Sequence, residues 1–281
     1  MKYVLNIGLV NNMPAGAVEA TERQFVTLLT EAAANDITVQ LTFYTLPMVR
    51  PKDRSGRHNS YRDVGDLWGR SLDGLIVTGT EPLTTNLQDE PYWADMARLL
   101  DWAAQNTISA VWSCLAAHAA VLHLDGIHRH RFSKKRFGIF KCVRVGEHFL
   151  NAGALERLDV PHSRWNDLCE DELKAAGYEI LTRMDEAGVD AFVKQGKSLF
   201  VFLQGHPEYD ADTLLLEYRR DVKRFQRRDS AVPPSLPNGY SDSLEAIPNT
   251  WRSDAVRLYG NWLSYLAQQK GYALQPLSIR A

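Results

Sequence analysis

Short apolar runs rich in β-branched residues alternate with helix-forming segments throughout residues 1–125. The runs cover residues 3–10, 37–44, 75–80 and 108–112, and apolar residues recur at helical spacing over residues 19–33, 93–105 and 116–124. Strands buried on both faces have this nearly continuous apolar character, and the intervening helices provide the crossovers that parallel strands need. The alternation predicts an α/β fold of the flavodoxin-like, doubly wound type, with a mostly parallel sheet and helices on both faces.

The rest of the chain is expected to complete the same unit. Residues 126–200 are less regular, and short strand-like runs, some of them expected to be antiparallel, occur at residues 179–181, 191–193 and 198–203. Helical spacing returns at residues 213–226 and 254–269, and four of the twelve prolines fall in residues 229–250. We therefore expect one domain over 1–281, with an insertion around 126–200 and a C-terminal arm and helix over 229–281. The polar residues 48–62 are predicted to form a surface loop.

Charge and cysteine content exclude several classes of protein. The net charge is −2, from 32 basic and 34 acidic residues, so no global positive field favours nucleic acid. No run of about 18 apolar residues predicts a membrane span, and the first residues are too interrupted by polar ones for a signal peptide. The cysteines Cys114, Cys142 and Cys169 form neither a disulfide framework nor a metal-binding pattern. We expect a cytoplasmic protein with no metal.

One strongly basic run, His-Arg-His-Arg-Phe-Ser-Lys-Lys-Arg, covers residues 128–136. Such a run is typical of a solvated loop, which is the interpretation we favour for most of its charges. The alternative hypothesis is a docking surface for a substrate that carries phosphate groups.

The cysteine with the most informative surroundings is Cys114. It directly follows the predicted strand at 108–112 and precedes a helical segment, which is the placement of a nucleophile elbow. The positive end of the helix favours a negatively charged sulfur, and the amide of Leu115 is free to donate to an oxyanion. Taken alone, Cys114 could equally be a small buried hydrophobe.

A second group of candidate catalytic residues follows the end of another predicted strand. His206 follows the run at 198–203 and lies two residues before Glu208. Such a histidine can take a thiol proton while the carboxylate fixes its tautomer. The turn at Gly79 and Thr80 also follows an apolar strand, so the Thr80 amide is a candidate second donor to the oxyanion. The sequence thus predicts Cys114, His206 and Glu208 as a catalytic set, with Leu115 and Thr80 as the oxyanion hole.

Further short motifs follow one another along most of the chain. They are Asn-Ile-Gly-Leu-Val-Asn-Asn-Met-Pro at 6–14, Asp-Gly-Leu-Ile-Val-Thr-Gly at 73–79, Glu-Pro-Tyr-Trp at 90–93, Pro-His-Ser-Arg at 161–164, Gly-His-Pro-Glu-Tyr-Asp at 205–210, Trp-Arg-Ser at 251–253 and Asn-Trp-Leu at 261–263. In order and spacing the chain resembles the homoserine O-succinyltransferase/O-acetyltransferase family of methionine biosynthesis, which has a class I glutamine amidotransferase-like fold.

The resemblance implies a two-step acyl transfer. Succinyl-CoA or acetyl-CoA acylates Cys114, and the hydroxyl of homoserine then attacks the thioester, with His206 moving the proton. It also implies substrate-binding roles for Lys135, Ser163 and Arg220, of which Arg220 suits a carboxylate. The implied partners are small molecules, with no bound cofactor, and a homodimer is expected.

Some positions depart from the family pattern. The elbow reads Cys-Leu-Ala-Ala-His at 114–118 where the family has Cys-Trp-Gly-Ala-Gln, so we interpret His118 as a packed or substrate-contacting residue. In the family, the residue a few positions after the turn at Gly79 is Glu or Gly, and its identity is linked to the choice between an acetyl and a succinyl group. Here that position is Leu83 or Thr84, which leaves the acyl group open.

Three other functions remain open on the sequence alone. The acceptor could be another hydroxy amino acid, such as serine. A glutaminase-type amidotransferase has the same fold, but its elbow normally carries glycines where this chain has Trp112 and Ala116. A binding protein without enzymatic activity is the third alternative, and the presence of Cys114, His206 and Glu208 counts against it.

Overall fold

The computed structural model describes residues 3–49, 61–184, 188–241 and 247–272. Ten strands within these ranges form one sheet: β1 Tyr3–Val10, β2 Ile37–Thr45, β3 Arg62–Asp63, β4 Leu72–Val77, β5 Thr107–Ser113, β6 His130–Arg144, β7 Arg157–Asp167, β8 Glu179–Met184, β9 Val189–Gln195 and β10 Leu199–Leu203. The α-helices are α1 Val18–Ala32, α2 Trp93–Asn106, α3 Leu115–Asp125, α4 Glu170–Ala175, α5 Thr213–Gln226 and α6 Arg252–Gln269.

The sheet consists of a parallel part and an antiparallel part. Its strand order is β3-β2-β1-β4-β5-β10-β9-β8-β6-β7, and the neighbours from β3 to β10 are all parallel. The remaining pairs, from β10–β9 to β6–β7, are antiparallel. The predicted α/β fold with a mostly parallel sheet is confirmed. Since β5 and β10 are parallel neighbours, their carboxyl ends lie side by side, and this is where sites form in open α/β sheets.

Both faces of the sheet are covered by helices. Helices α1 and α6 pack on one face, and α2 and α3 pack on the other. Trp262 of α6 is fully buried, and its indole N–H donates to the Ser109 hydroxyl on β5 at 2.9 Å. A Cβ atom at Gly74 would lie only 2.8 Å from the Trp262 ring, so glycine is what allows α6 to approach β4 this closely.

The interpretation of the basic run as a solvated loop was wrong for residues 130–136, which open the long strand β6. Likewise, the irregular insertion expected around 126–200 consists largely of the antiparallel strands β6 to β9. Much of β6 is exposed or half-buried, so its charged residues do not need the apolar pattern by which buried strands are recognised.

The proline-rich arm expected after α5 packs on β6. The Asn238 amide donates to the Phe137 carbonyl at 2.8 Å, and the Ile139 amide donates to the Asn238 carbonyl at 2.9 Å. Gly138 between them has a φ of +129°, and a Cβ there would collide with the Asn238 backbone. Most of the predicted loop at 48–62, residues 242–246 of the arm and residues 273–281 lie outside the described residues. Among the helices in the described ranges, none combines the length and apolarity needed to cross a bilayer.

Candidate active site

Cys114 lies at a strained turn between β5 and α3. Its φ of 55° and ψ of −115° put a non-glycine residue at positive φ, which persists only where the surroundings hold it. One such restraint is the Cys114 amide, which donates to the Leu203 carbonyl at 2.7 Å and so ties the ends of β5 and β10 together. The turn has the geometry expected of a nucleophile elbow.

His206 and Glu208 lie beside this cysteine. The Nδ1 atom of His206 is 2.8 Å from Oε1 of Glu208, and the charge of Cys114 acts on the same imidazole. The His206 amide donates to the Pro161 carbonyl at 2.8 Å, which fixes the turn after β10 against β7. The ring of Tyr209 stacks on that of His206 with centroids 4.3 Å apart. The structure therefore brings all three residues of the predicted catalytic set together.

The charges around His206 decide its protonation. Burial alone would lower its pKa, but the charges of Glu208 and Cys114 and their hydrogen bonds raise the pKa well above the ordinary histidine value. These contacts favour the protonated form of the imidazole. In this state it can stabilise a thiolate and can give a proton to a leaving group.

The turn after β4 packs against the start of α3. A Cβ atom at Gly79 would lie 2.9 Å from the amide nitrogen of Leu115, so only glycine permits this approach. Thr80 and Leu115 both border the cavity at Cys114. Glu90 holds the rest of the turn, since its Oε1 accepts from the amides of Leu83 and Thr84, each at 2.7 Å.

Lys135, Ser163 and Arg220 converge on two carboxylates of α5. The hydroxyl of Ser163 donates to Glu217 at 2.6 Å, and the ammonium of Lys135 lies 3.3 Å from Asp221 and 4.0 Å from Glu217. Arg220 donates to Asp221 from Nε at 3.1 Å and from Nη2 at 3.0 Å. Two cations and two carboxylates thus lie together, a balance of charge that suits a zwitterionic ligand.

Tyr209 and Glu217 were not singled out by the sequence analysis. Tyr209 is buried, and its hydroxyl donates to Glu217 at 2.6 Å while its ring stacks on His206. It therefore links the charged cluster on α5 to the cysteine site. The available signal was spacing, because Glu217 lies three residues before Arg220 on a helix, which puts both on one face.

One cavity of about 1350 Å³ joins these groups. It is bordered by all eight predicted site residues: Cys114, His206, Glu208, Leu115, Thr80, Lys135, Ser163 and Arg220. Residues of the arm at 230–236 also border it. Its size exceeds that of a typical small-ligand pocket and leaves room for two substrates.

His118, one helical turn after Cys114, is packed in a buried polar network, in agreement with the interpretation as a packed residue. Its Nε2 lies 2.7 Å from Oε1 of Gln204, which also accepts from Arg164 at 3.1 Å. Burial lowers the pKa of His118 to about 3, although the Gln204 hydrogen bond opposes the shift. The ring is therefore neutral in the fold.

This gives a prediction for the pH dependence of stability. An unfolded histidine titrates near pH 6.5 and His118 near pH 3, so the unfolded state binds more protons between these values. The free energy of unfolding should fall as pH drops through this window, by about 1–2 kcal/mol between pH 7.5 and 5 from His118 alone. Urea unfolding of wild type and His118→Gln at both pH values measures this. If the variant loses as much stability as wild type, the account of His118 is wrong.

Cys142, His162 and Asp190 form a separate buried cluster whose potential ligand atoms lie within 4.8 Å of one another. Arg164 Nε donates to His162 Nδ1 at 3.2 Å, which leaves the ring proton on Nε2, 3.3 Å from Asp190. Burial also lowers the pKa of His162, so the ring is neutral. A metal would need the Nε2 lone pair that this tautomer lacks, so the donor set does not fit a metal.

The sheet order and the cysteine turn define an α/β protein with the class I glutamine amidotransferase-like fold. The fold is similar to that of the glutaminase domain of Trypanosoma brucei CTPS, with a TM-score of 0.58, 12% identity and coverage of 96% of both chains. It is also similar to a glutamine amido transferase from Methylobacillus flagellatus, with a TM-score of 0.57, 12% identity and coverage of 99% of this chain and 98% of the other.

Sequence comparison gives the family. The family model for homoserine O-succinyltransferase matches residues 3–272. A homoserine O-succinyltransferase of Rhodopseudomonas palustris is 49% identical over 90% of this chain and 76% of its own length. One of Bradyrhizobium japonicum is 47% identical over 94% of this chain and 90% of its own length. The chain belongs to the homoserine O-succinyltransferase family, as its motifs predicted.

Proposed function

We propose that this protein transfers a succinyl group from succinyl-CoA to the hydroxyl of homoserine through a thioester on Cys114. The observation that carries the proposal is the placement of Cys114 with the hydrogen-bonded pair His206–Glu208 in a cavity that also holds a charge-balanced cluster. Family membership supports succinyl as the acyl group and homoserine as the acceptor, since these are in the names of the relatives.

In the first half-reaction the Cys114 sulfur attacks the thioester carbonyl of the donor. The developing oxyanion is met by the amides of Leu115 and Thr80, which border the cavity at this point. The carbon–sulfur bond to CoA then breaks, and the leaving thiolate takes the proton of His206. The acyl group is left on Cys114, and His206 is neutral.

In the second half-reaction the homoserine hydroxyl gives its proton to neutral His206 as its oxygen attacks the acyl carbonyl. The bond from the acyl group to Cys114 breaks, and the protonated His206 again stabilises the thiolate. Glu208 holds Nδ1 throughout, so the other ring nitrogen faces the reacting groups.

The cluster on α5 suits the amino-acid end of the acceptor. The carboxylate of homoserine would pair with Arg220 and Lys135, and its ammonium would pair with Glu217 or Asp221. Each of these groups has a counter-charge already, so the zwitterion exchanges partners rather than adding an unpaired charge.

The basic start of β6 suits the phosphate groups of the donor. Arg131 and Lys134 are exposed and border the cavity, and within the described part of the chain neither forms an ion pair with a carboxylate. This favours the phosphate-docking hypothesis for these two side chains.

Steady-state release of CoA tests the function against its alternatives. With succinyl-CoA, turnover should require L-homoserine and be at least about tenfold slower with L-serine, which is shorter by one methylene. Acetyl-CoA should replace succinyl-CoA poorly. Ammonia release from glutamine would favour the glutaminase, and no reaction of any kind would favour a binding protein.

The acceptor cluster has its own prediction. Arg220→Met should raise the KM for homoserine about 10- to 100-fold, because one charge-assisted pair is lost, while acylation of Cys114 is unchanged. Arg219→Met is the matched control, since Arg219 is the exposed neighbour on α5 and does not border the cavity. Slower acylation in Arg220→Met would instead assign Arg220 to the donor.

Two further expectations accompany the proposal. A free thiol nucleophile and an acyl-CoA donor fit the reducing cytoplasm. The homodimer stays a prediction, and sedimentation equilibrium would show a species of twice the 31.8 kDa chain mass.

A further inference from the structure

Arg129 lies directly before the basic start of β6, and its side chain has an unusual position. It follows the turn that ends α3 at Gly126 and comes just before β6. Its side chain is half-buried and borders the cavity, and its Nη2 donates to the Thr85 carbonyl at 3.2 Å. The guanidinium is thus held against the wall formed by the turn after β4.

Arg129 and Cys114 border the same cavity. Burial lowers the pKa of Arg129, and the charges of Tyr92, Glu90 and Cys114 oppose that shift. Arginine remains a cation under such shifts. Arg220 interacts instead with Glu217, Asp221 and Glu81, so the two guanidiniums serve different parts of the cavity.

Arg129 has no carboxylate ion-pair partner within the described residues. The charge of Glu90 also acts on Arg129. The Oε1 atom of Glu90 accepts from the amides of Leu83 and Thr84 and the hydroxyl of Thr84, and its buried Oε2 has no hydrogen-bond partner among the described residues. A guanidinium has five N–H donors, and the bond to the Thr85 carbonyl uses one of them. The remaining donors can bind an anion that a ligand brings into the cavity.

We propose that Arg129 binds the free carboxylate of a dicarboxylic acyl group on Cys114 and so selects succinyl over acetyl. This rests on the proposed function. A carboxylate on the acyl group lies within a few bonds of the Cys114 sulfur, in the cavity that Arg129 also borders. The phosphates of the donor are separated from the thioester by the whole pantetheine arm and are better placed at Arg131 and Lys134.

The first test compares single-turnover acylation of Cys114 by succinyl-CoA and acetyl-CoA, followed by intact-protein mass spectrometry. Arg129→Leu should lower the succinyl-to-acetyl rate ratio about 10- to 100-fold, the loss expected for one charge-assisted pair. Retained acetylation would show that the variant is folded. Arg131→Leu removes the same charge at the same cavity. It should slow both donors alike, because both carry the CoA phosphates, and so should leave the ratio unchanged.

The second test does not depend on acyl transfer. It compares alkylation of Cys114 by anionic iodoacetate and by neutral iodoacetamide. The ratio of the iodoacetate rate to the iodoacetamide rate should be about tenfold higher in wild type than in Arg129→Leu. An unchanged reagent ratio together with an unchanged donor ratio would overturn the inference. A wild type that prefers acetyl-CoA would also overturn the inference, but it would leave the proposed acyl-transfer activity intact. If neither donor acylates wild-type Cys114, the proposed function fails instead.

Discussion

Replacing Cys114 by serine is expected to lower acyl transfer by at least about 10⁴-fold, because covalent relay through the thiolate is lost. Steady-state release of CoA in the presence of homoserine measures the effect. The substitution changes one atom, so the strained turn and the hydrogen bond from its amide to the Leu203 carbonyl should persist.

Cys169→Ala is the control for this substitution. Cys169 is partly exposed, precedes α4 and makes no side-chain capping hydrogen bond there. Its removal should leave turnover within about twofold, as for a surface change away from the site. Substantial turnover by Cys114→Ser, with circular dichroism like that of wild type, would exclude the thioester route.

The second large effect is expected at His206. His206→Asn should lower kcat/KM by about 10²–10⁴-fold, the range associated with loss of a general acid–base. Asparagine can still donate to Glu208, so the turn after β10 should remain in place. A fall of less than tenfold would mean that another group transfers the proton.

Glu208→Gln gives a companion test based on pH. The charge of Glu208 helps to raise the pKa of His206, so its removal should lower that pKa. His206 would then lose its proton at a lower pH, and the alkaline limb of the pH–rate profile should move to lower pH. An unmoved alkaline limb would show that His206 protonation does not control the rate.

The parallel part of the fold was predictable because its strands are buried on both faces. Strands β1, β4 and β5 each contain a run of buried apolar residues, and their predicted bounds differ from the observed ones by at most a few residues. The strands β6 and β7 were missed because charged residues interrupt their apolar pattern. Most of those in β6 are exposed or half-buried, and in β7 Arg164 and Asp167 are buried as an ion pair. Pairing between them is a long-range property that local composition does not record.

The candidate site likewise contains residues that could be predicted from the sequence and residues that could not. Cys114, His206 and Glu208 could be proposed because each follows a buried strand, and the parallel arrangement of β5 and β10 then brings them together. Glu217 and Tyr209 acquire their importance only when α5 packs beside β7, where Ser163 meets Glu217. In the sequence they are ordinary residues of a helix and a turn.

The central claim is that Cys114 carries the acyl group. We would mix the protein with succinyl-CoA in the absence of homoserine, quench in acid and measure the intact mass of wild type and Cys114→Ala. The account predicts one added succinyl group on wild type, none on the variant, and loss of the adduct when homoserine is added. An unmodified wild type that nevertheless turns over succinyl-CoA with homoserine, or an adduct that persists in Cys114→Ala, would contradict it.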